Sequence, residues 1–179
     1  INLGTRAAVI YSAGGSTSVN VQHAIILNNS FANNNHVVFS ASTANNLKVY
    51  KNLNGNWWGN TLENIDAAPA VYQSACDNWI VLNMTANATK LAYDQNALVS
   101  IDLYNAIDRE GNSSFVDASK LPDFDLDVVA NNGVASTQKI NVIKGMASLE
   151  YTLKSYDSGS LTVKYDDDVQ STIDFVWRL

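Results

Sequence analysis

Asn56-Trp57-Trp58-Gly59 closes an asparagine-rich passage of short apolar runs. Two bulky indoles followed by Gly read as a plug at the end of an element, and a plug implies an architecture with an open end to close. The motif also divides the chain into unlike halves. Before it, Asn recurs every few residues between runs such as Ile25-Ile26-Leu27 and Val37-Val38-Phe39. From about Trp79 onward the chain reads as alternating strands.

Working back from the motif, the apolar runs are short: Ala7 to Tyr11, His23 to Leu27, Val37 to Phe39, and Leu47 to Tyr50. Asn is a poor former of helix and strand interiors, but it tolerates left-handed turns and bonds its own backbone. Its excess therefore marks many tight corners. A weak internal repeat accompanies it. Residues 25–31 align with 48–54, and Val9-Ile10-Tyr11 aligns with Val37-Val38-Phe39-Ser40. The offset of roughly 23 to 28 residues lies in the range of solenoid repeats. Short strands, Asn corners and that period predict coils of a parallel β-helix, with Trp57 and Trp58 as the lid on the last coil. Gly59 would let the chain turn away. A plain antiparallel sandwich is the alternative reading of the same runs.

Working forward, residues 60–77 carry Pro69, several Ala and no strong period, which reads as a connection. Strands then follow: Trp79 to Met84, Leu98 to Leu103, Asp123 to Val129, Lys139 to Ile143, Ala147 to Leu153, Ser160 to Tyr165 and Gln170 to Trp177. Phe124, Leu126 and Val128 fall on one face of their strand. Turn signals separate the runs at Asp108-Arg109-Glu110-Gly111, Asn131-Asn132-Gly133, Lys144-Gly145, Asp157-Ser158-Gly159 and Asp166-Asp167-Asp168. About seven short strands in roughly 100 residues predict an immunoglobulin-like sandwich. The expected organisation is β-helix coils and cap over 1–66, a connection over 67–78 and a sandwich over 79–179.

The 179 residues carry a formal net charge of −6, which argues against nucleic acid or an anionic membrane as partner. No apolar run approaches the roughly 18 residues needed to span a bilayer, so no membrane insertion is expected of this segment. Cys76 is the single cysteine, so no intrachain disulfide framework is available. The chain opens on Ile1 rather than Met, which reads as a segment of something longer.

Taken together, several segments resemble the adhesin-like cell-surface proteins of methanogenic archaea. In that family a right-handed parallel β-helix of Asn-rich repeats often ends in a motif like Asn56-Trp57-Trp58-Gly59-Asn60. A bacterial-Ig-like domain then opens with a segment similar to Asn78-Trp79-Ile80-Val81-Leu82-Asn83-Met84-Thr85-Ala86-Asn87. Leu121-Pro122-Asp123-Phe124-Asp125-Leu126 is similar to the family's Ile-Pro-Asp-Gly segment and following strand, with Phe124 where the family often has Gly. Asn132-Gly133, Lys144-Gly145-Met146-Ala147 and the run from Tyr156 to Val163 sit where such domains carry turns and their penultimate hairpin. The likeness extends from about residue 20 to the end. It implies an extracellular, cell-surface location and attachment to other cells or surface glycans.

Few residues point to catalysis. His23 and His36 are the only histidines, 13 apart, and no zinc-type spacing accompanies them. No Gly-x-Ser-x-Gly elbow is present. Residues 1–60 contain neither Asp nor Glu. That weighs against the carboxylate chemistry of a carbohydrate-active β-helix enzyme, whose first available carboxylates here would be Glu63 and Asp66. No catalytic residue, metal site or cofactor is predicted. Asp123, Asp125 and Asp127 project from one strand face, read as a solvated face with weak calcium binding as the alternative. Asn28, Asn83, Asn87 and Asn112 each begin an Asn-x-Ser/Thr sequon, and so are candidate glycosylation acceptors. A covalent Lys–Asn or Lys–Asp crosslink would draw on Lys120, Lys139, Lys144 or Lys164. Tyr11, Tyr50, Tyr72 and Tyr93 are candidates for stacking on sugar faces. The expectation is a non-enzymatic adhesin fragment in which the sandwich is a spacer or binding module. The alternatives are a carbohydrate-active enzyme fragment and a purely structural stalk.

Overall fold

The computed structural model describes residues 10–12, 19–20, 39–41, 51–52, 54–57, 77–165 and 170–178. By contacts the chain divides into two compact units. One holds Ile1–Val81 and Ala106–Val116, the other Leu82–Asn105 and Asp117–Leu179.

In the first unit, β1 (Ile10–Ser12) pairs in parallel with β3 (Phe39–Ala41), and β2 (Val19–Asn20) pairs in parallel with β4 (Lys51–Asn52). Ile10 lies opposite Phe39 and Val19 opposite Lys51. A hairpin joins antiparallel strands only, so each pair requires a long return path. These two short pairs do not establish the β-helix coils expected over 1–66, and, Asn54 to Trp57 apart, the remaining residues of that stretch lie outside the described residues.

Asn54 to Trp57 are laced to the chain that follows. Asp77 N and Asn78 N donate to Asn54 Oδ1 at 2.7 and 3.4 Å, while Gly55 N donates to Asn78 Oδ1 at 3.1 Å. Ile80 N donates to Asn56 O at 2.9 Å. Two asparagine side chains thus stand in for missing ladder partners, the local bonding that makes Asn a turn residue. Gly55 supplies the turn with φ +69°, where a side chain would be strained. Trp57 and Trp79 are both fully buried.

The second part of the chain forms a sandwich. One sheet has the order β10 (Gly133–Ala135), β12 (Met146–Leu153), β7 (Asn96–Asp108), β5 (Asn78–Ala86), with β8 (Ser113–Phe115) also pairing with β7. The other has the order β11 (Lys139–Val142), β9 (Phe124–Asn131), β13 (Gly159–Lys164), β14 (Gln170–Trp177), β6 (Lys90–Leu91). The opening strand is split: β5 belongs to one sheet, and β6, three residues later, pairs in parallel with the last strand. The central strands β7, β12, β9, β13 and β14 carry antiparallel pairings. This is an all-β, immunoglobulin-like sandwich.

Alternation explains the core. Ala97, Val99, Ile101 and Leu103 of β7 point inward, as do Leu149, Tyr151 and Leu153 of β12. Leu126, Val128, Leu161, Val163 and Phe175 answer from the other sheet. Phe124, expected on the same face as Leu126, is half-buried and sits edge-on to Tyr165 with centroids 6.0 Å apart. Tyr151 spans the two layers. Its ring stacks on Phe175 (centroids 4.3 Å, interplanar angle 11°), and its hydroxyl donates to Asn131 O at 2.9 Å.

Two turns show how local chemistry sets the topology. Lys144 and Gly145 both have positive φ (51° and 74°), and Ile143 bridges Met146 across them. That is the two-residue hairpin geometry whose twist matches the strands. Asn131-Asn132-Gly133 behaves differently from the ordinary turn its composition predicts. Asn132 (φ 53°) is the single residue between β9 and β10, so the chain changes sheet there.

Candidate functional site

The expected lid is described in part. Trp57 is fully buried, while Trp58 and Gly59 lie outside the described residues. So do Asn28, His23, His36, Glu63, Asp66, Tyr50, Tyr72, Cys76 and Asp166 to Asp168. Tyr11 is described only through its backbone pairing with Ser40.

The acidic ladder, Asp125 and Asp127 on β9 with Asp123 just before it, is exposed, and its neighbours use it. Asn141 Nδ2 donates to Asp125 Oδ1 at 2.8 Å, and Lys144 N donates to Asp123 Oδ1 at 3.1 Å. Lys139 Nζ lies 3.8 Å from Asp125 and 3.9 Å from Asp127. Register explains this: Lys139 faces Asp127, and Asn141 faces Asp125. Among the described residues, no group of three or more His, Cys, Asp or Glu side chains is placed to hold a metal ion.

The three described sequons differ in geometry. Asn83 is half-buried in β5, and its Nδ2 donates to Asp102 Oδ2 at 3.1 Å. The other oxygen of Asp102 accepts from Tyr104 N at 3.1 Å and Asn105 Nδ2 at 3.3 Å. Asn112 is exposed, but its Nδ2 donates to Asp108 Oδ2 at 2.9 Å and its backbone N to Asp108 Oδ1 at 2.7 Å. These bonds, the Asn112 side chain first, hold the Asp108 carboxyl below its usual range. Asn87 is exposed and accepts from Leu98 N through Oδ1 at 2.9 Å.

The sandwich also assembles an aromatic cluster that the sequence indicates only at Tyr93. Tyr93 stacks on Tyr156 with centroids 4.8 Å apart and an interplanar angle of 16°. Tyr156 meets Trp177 edge-on at 5.8 Å and 86°. Tyr93 is 47% exposed and Tyr156 66%, so the cluster belongs to the surface rather than the core.

Three segments hold it in place. The turn carrying Tyr93 is closed by Ala92 N donating to Gln95 Oε1 at 2.9 Å. Asp94 N donates to Leu153 O at 2.8 Å and Leu153 N to Gln95 O at 3.2 Å, tying that turn to the end of β12. The loop carrying Tyr156 is fixed by Lys154 N donating to Asn132 O at 3.0 Å and Asn132 Nδ2 donating to Ser158 O at 2.7 Å. Trp177 lies opposite Leu91 in the parallel pair, and Arg178 N donates to Leu91 O at 2.9 Å.

Polar groups rim the rings. Lys154 Nζ is paired with Asp94 Oδ1, and that hydrogen bond chiefly holds the ammonium above its usual pKa. Arg178 Nη2 donates to Gln95 Oε1 at 3.3 Å. Exposed aromatic faces beside side-chain amide, carboxylate and guanidinium groups suit a ligand with an apolar face and a polar edge, as a pyranose ring has. Sequence reasoning missed Tyr156 and Trp177. The one available signal was an aromatic in the turn before Gly159, where no strand face exists to bury it.

No family model matches the chain, and no curated protein matches it. Three solved structures to which it is similar illustrate the matches. A glycosyl hydrolase family 2 member from Bacteroides cellulosilyticus is 11% identical, over 55% of this chain and 14% of that one, with a TM-score of 0.44. The D0-D1 domain of intimin is 12% identical, over 54% and 48%, with a TM-score of 0.36. Domains 4 and 5 of the S-layer protein SbsC are 14% identical, over 56% and 54%, with a TM-score of 0.32. The matched part is less than two thirds of the length of each of these structures. The fold rests on the strand order above, and the chain is similar to, among others, domains of surface proteins.

Proposed function

We propose that this chain is a non-enzymatic segment of an extracellular, adhesin-like surface protein of the methanogen type, attaching to other cells through their surface glycans. The observation that carries the reading is the surface cluster of the exposed Tyr93 and Tyr156 with the half-buried Trp177. Large rings at a surface expose apolar area that costs free energy until a partner covers it. Trp and Tyr are also the residues that most often dominate binding contacts. The rings are pre-positioned by backbone hydrogen bonds, which reduces the ordering cost on binding. The carboxylates of the described ladder are occupied by lysine, amide and backbone partners, and residues 1–60 have none. Both facts favour binding over acid–base chemistry.

The test is glycan-array and whole-cell binding by the full chain, its Tyr156→Ala variant and its Trp177→Ala variant. Binding by the parent chain, weakened at least about tenfold in the variants, is expected from the loss of one stacked ring. A parent chain that binds neither glycans nor cells above background is a structural stalk. Hydrolysis or lysis of a glycan that depends on Glu63 or Asp66 would make it an enzyme fragment.

A further inference from the structure

We infer that Asn87 is the N-glycan acceptor of the sandwich, and that Asn83 and Asn112 are not. The reacting atom of a sequon is the side-chain amide nitrogen, so the question is where each Nδ2 stands. Asn83 Nδ2 is committed to Asp102 on a half-buried strand. Glycosylation replaces one of the two hydrogens on that nitrogen, so a sugar there would have to fit beside Asp102 on a half-buried strand while the remaining N–H held its bond. Asn112 Nδ2 is committed to Asp108, within a turn that Asp108 N closes onto Asn112 O at 3.1 Å.

Asn87 is arranged the other way round. Its backbone N donates to Leu98 O at 3.1 Å, and its Oδ1 accepts from Leu98 N at 2.9 Å. The side chain therefore acts as one further carbonyl of the ladder. Because the oxygen makes that bond, Nδ2 is left with no partner among the described residues, on an exposed residue.

Two further features fit. Asn87-Ala88-Thr89 is the whole link between β5 in one sheet and β6 in the other, so neither Asn87 nor Thr89 lies within a strand, and both are exposed. Leu98, bonded to Asn87, is 47% exposed on the outer face of its sheet. The first sugar of a glycan would cover that apolar side chain. The donor required is a lipid-linked pyrophosphate saccharide. The Nδ2–C1 bond forms as the C1–O bond breaks, the pyrophosphate leaves with the electron pair, and Nδ2 gives up one proton to a base of the transferase.

This inference rests on the surface reading only in requiring export. The test supplies export separately, so the two can fail separately. The full chain is secreted from a host whose pathway carries an N-glycosyltransferase, and its glycopeptides are mapped. The Asn87 peptide is expected to carry the glycan. Asn87→Gln and Thr89→Ala should each remove it, the second without touching the Asn87–Leu98 bonds, whereas Asn83→Gln and Asn112→Gln should leave it. A bare Asn87 peptide in the secreted chain, or occupancy at Asn83 or Asn112 equal to or above that at Asn87, would overturn the inference.

Discussion

Tyr151 concentrates the energetics of the sandwich in one side chain. Its ring needs room, and two glycines make it. A Cβ at Gly133 would meet the phenol ring and lie 2.6 Å from Thr152 O. One at Gly159 would meet the phenol oxygen and lie 2.9 Å from Asn131 O. Burial also raises the Tyr151 pKa above the ordinary tyrosine value. The unfolded chain therefore ionises first. The contribution of the protonated phenol is complete below about pH 10 and is lost as pH rises through the folded value. Tyr151→Phe should cost about 1–2 kcal/mol at neutral pH, since Asn131 O loses its donor, and should remove that alkaline loss. Chemical denaturation at pH 7 and across the alkaline range measures both, and an unchanged alkaline slope would refute the assignment. Trp57 offers a parallel case in the first unit. As it is fully buried, Trp57→Ala should destabilise by about 3–5 kcal/mol. A variant that melts like the parent would remove Trp57 from any structural role.

At the scale of elements, the long strands were legible and the short ones were not. Val99, Ile101 and Leu103 announce β7 because alternation needs only neighbouring residues to be read. Lys90–Leu91, Ser113–Phe115 and Gly133–Ala135 are too short to show a period, and each is a strand only because a partner lies beside it. The Lys144-Gly145 hairpin was legible as a turn, but its tightness was not. A Cβ at Gly145 would lie 2.7 Å from Ala118 Cβ and 2.9 Å from Ala118 O, contacts made by a segment 27 residues upstream. Gly145→Ala should therefore cost more than the roughly 1 kcal/mol of an ordinary left-handed penalty. A thermal melt of that variant tests this, and a loss within a few tenths of a kcal/mol would show that Ala118 yields.

At the scale of the molecule, the surface chemistry comes from residues far apart in the chain. Tyr93, Tyr156 and Trp177 meet because β6 pairs with β14 while the turn after β6 is bonded to the end of β12. Since Tyr156 is 66% exposed, Tyr156→Ala should leave the melting temperature nearly unchanged while lowering glycan binding. Loss of stability comparable to a core substitution would recast the cluster as packing. The choice among sequons is of the same kind. Asn83-Met84-Thr85 and Asn87-Ala88-Thr89 are equivalent as text, and the tertiary structure separates them by placing Asp102 beside the half-buried Asn83 and Leu98 N beside the exposed Asn87.

By itself, the sequence determined that the region from Trp79 onward is a series of strands with defined inward faces, because alternation and turn residues act between near neighbours. It determined equally that residues 1–60 bring no carboxylate. The tertiary structure alone decided the sheet order, the change of sheet at Asn132, the role of Asn54 and Asn78 as reciprocal ladder partners, and the meeting of three aromatic rings. Each of these depends on which distant backbone groups pair, and a pairing between strands leaves no periodic trace in either strand alone.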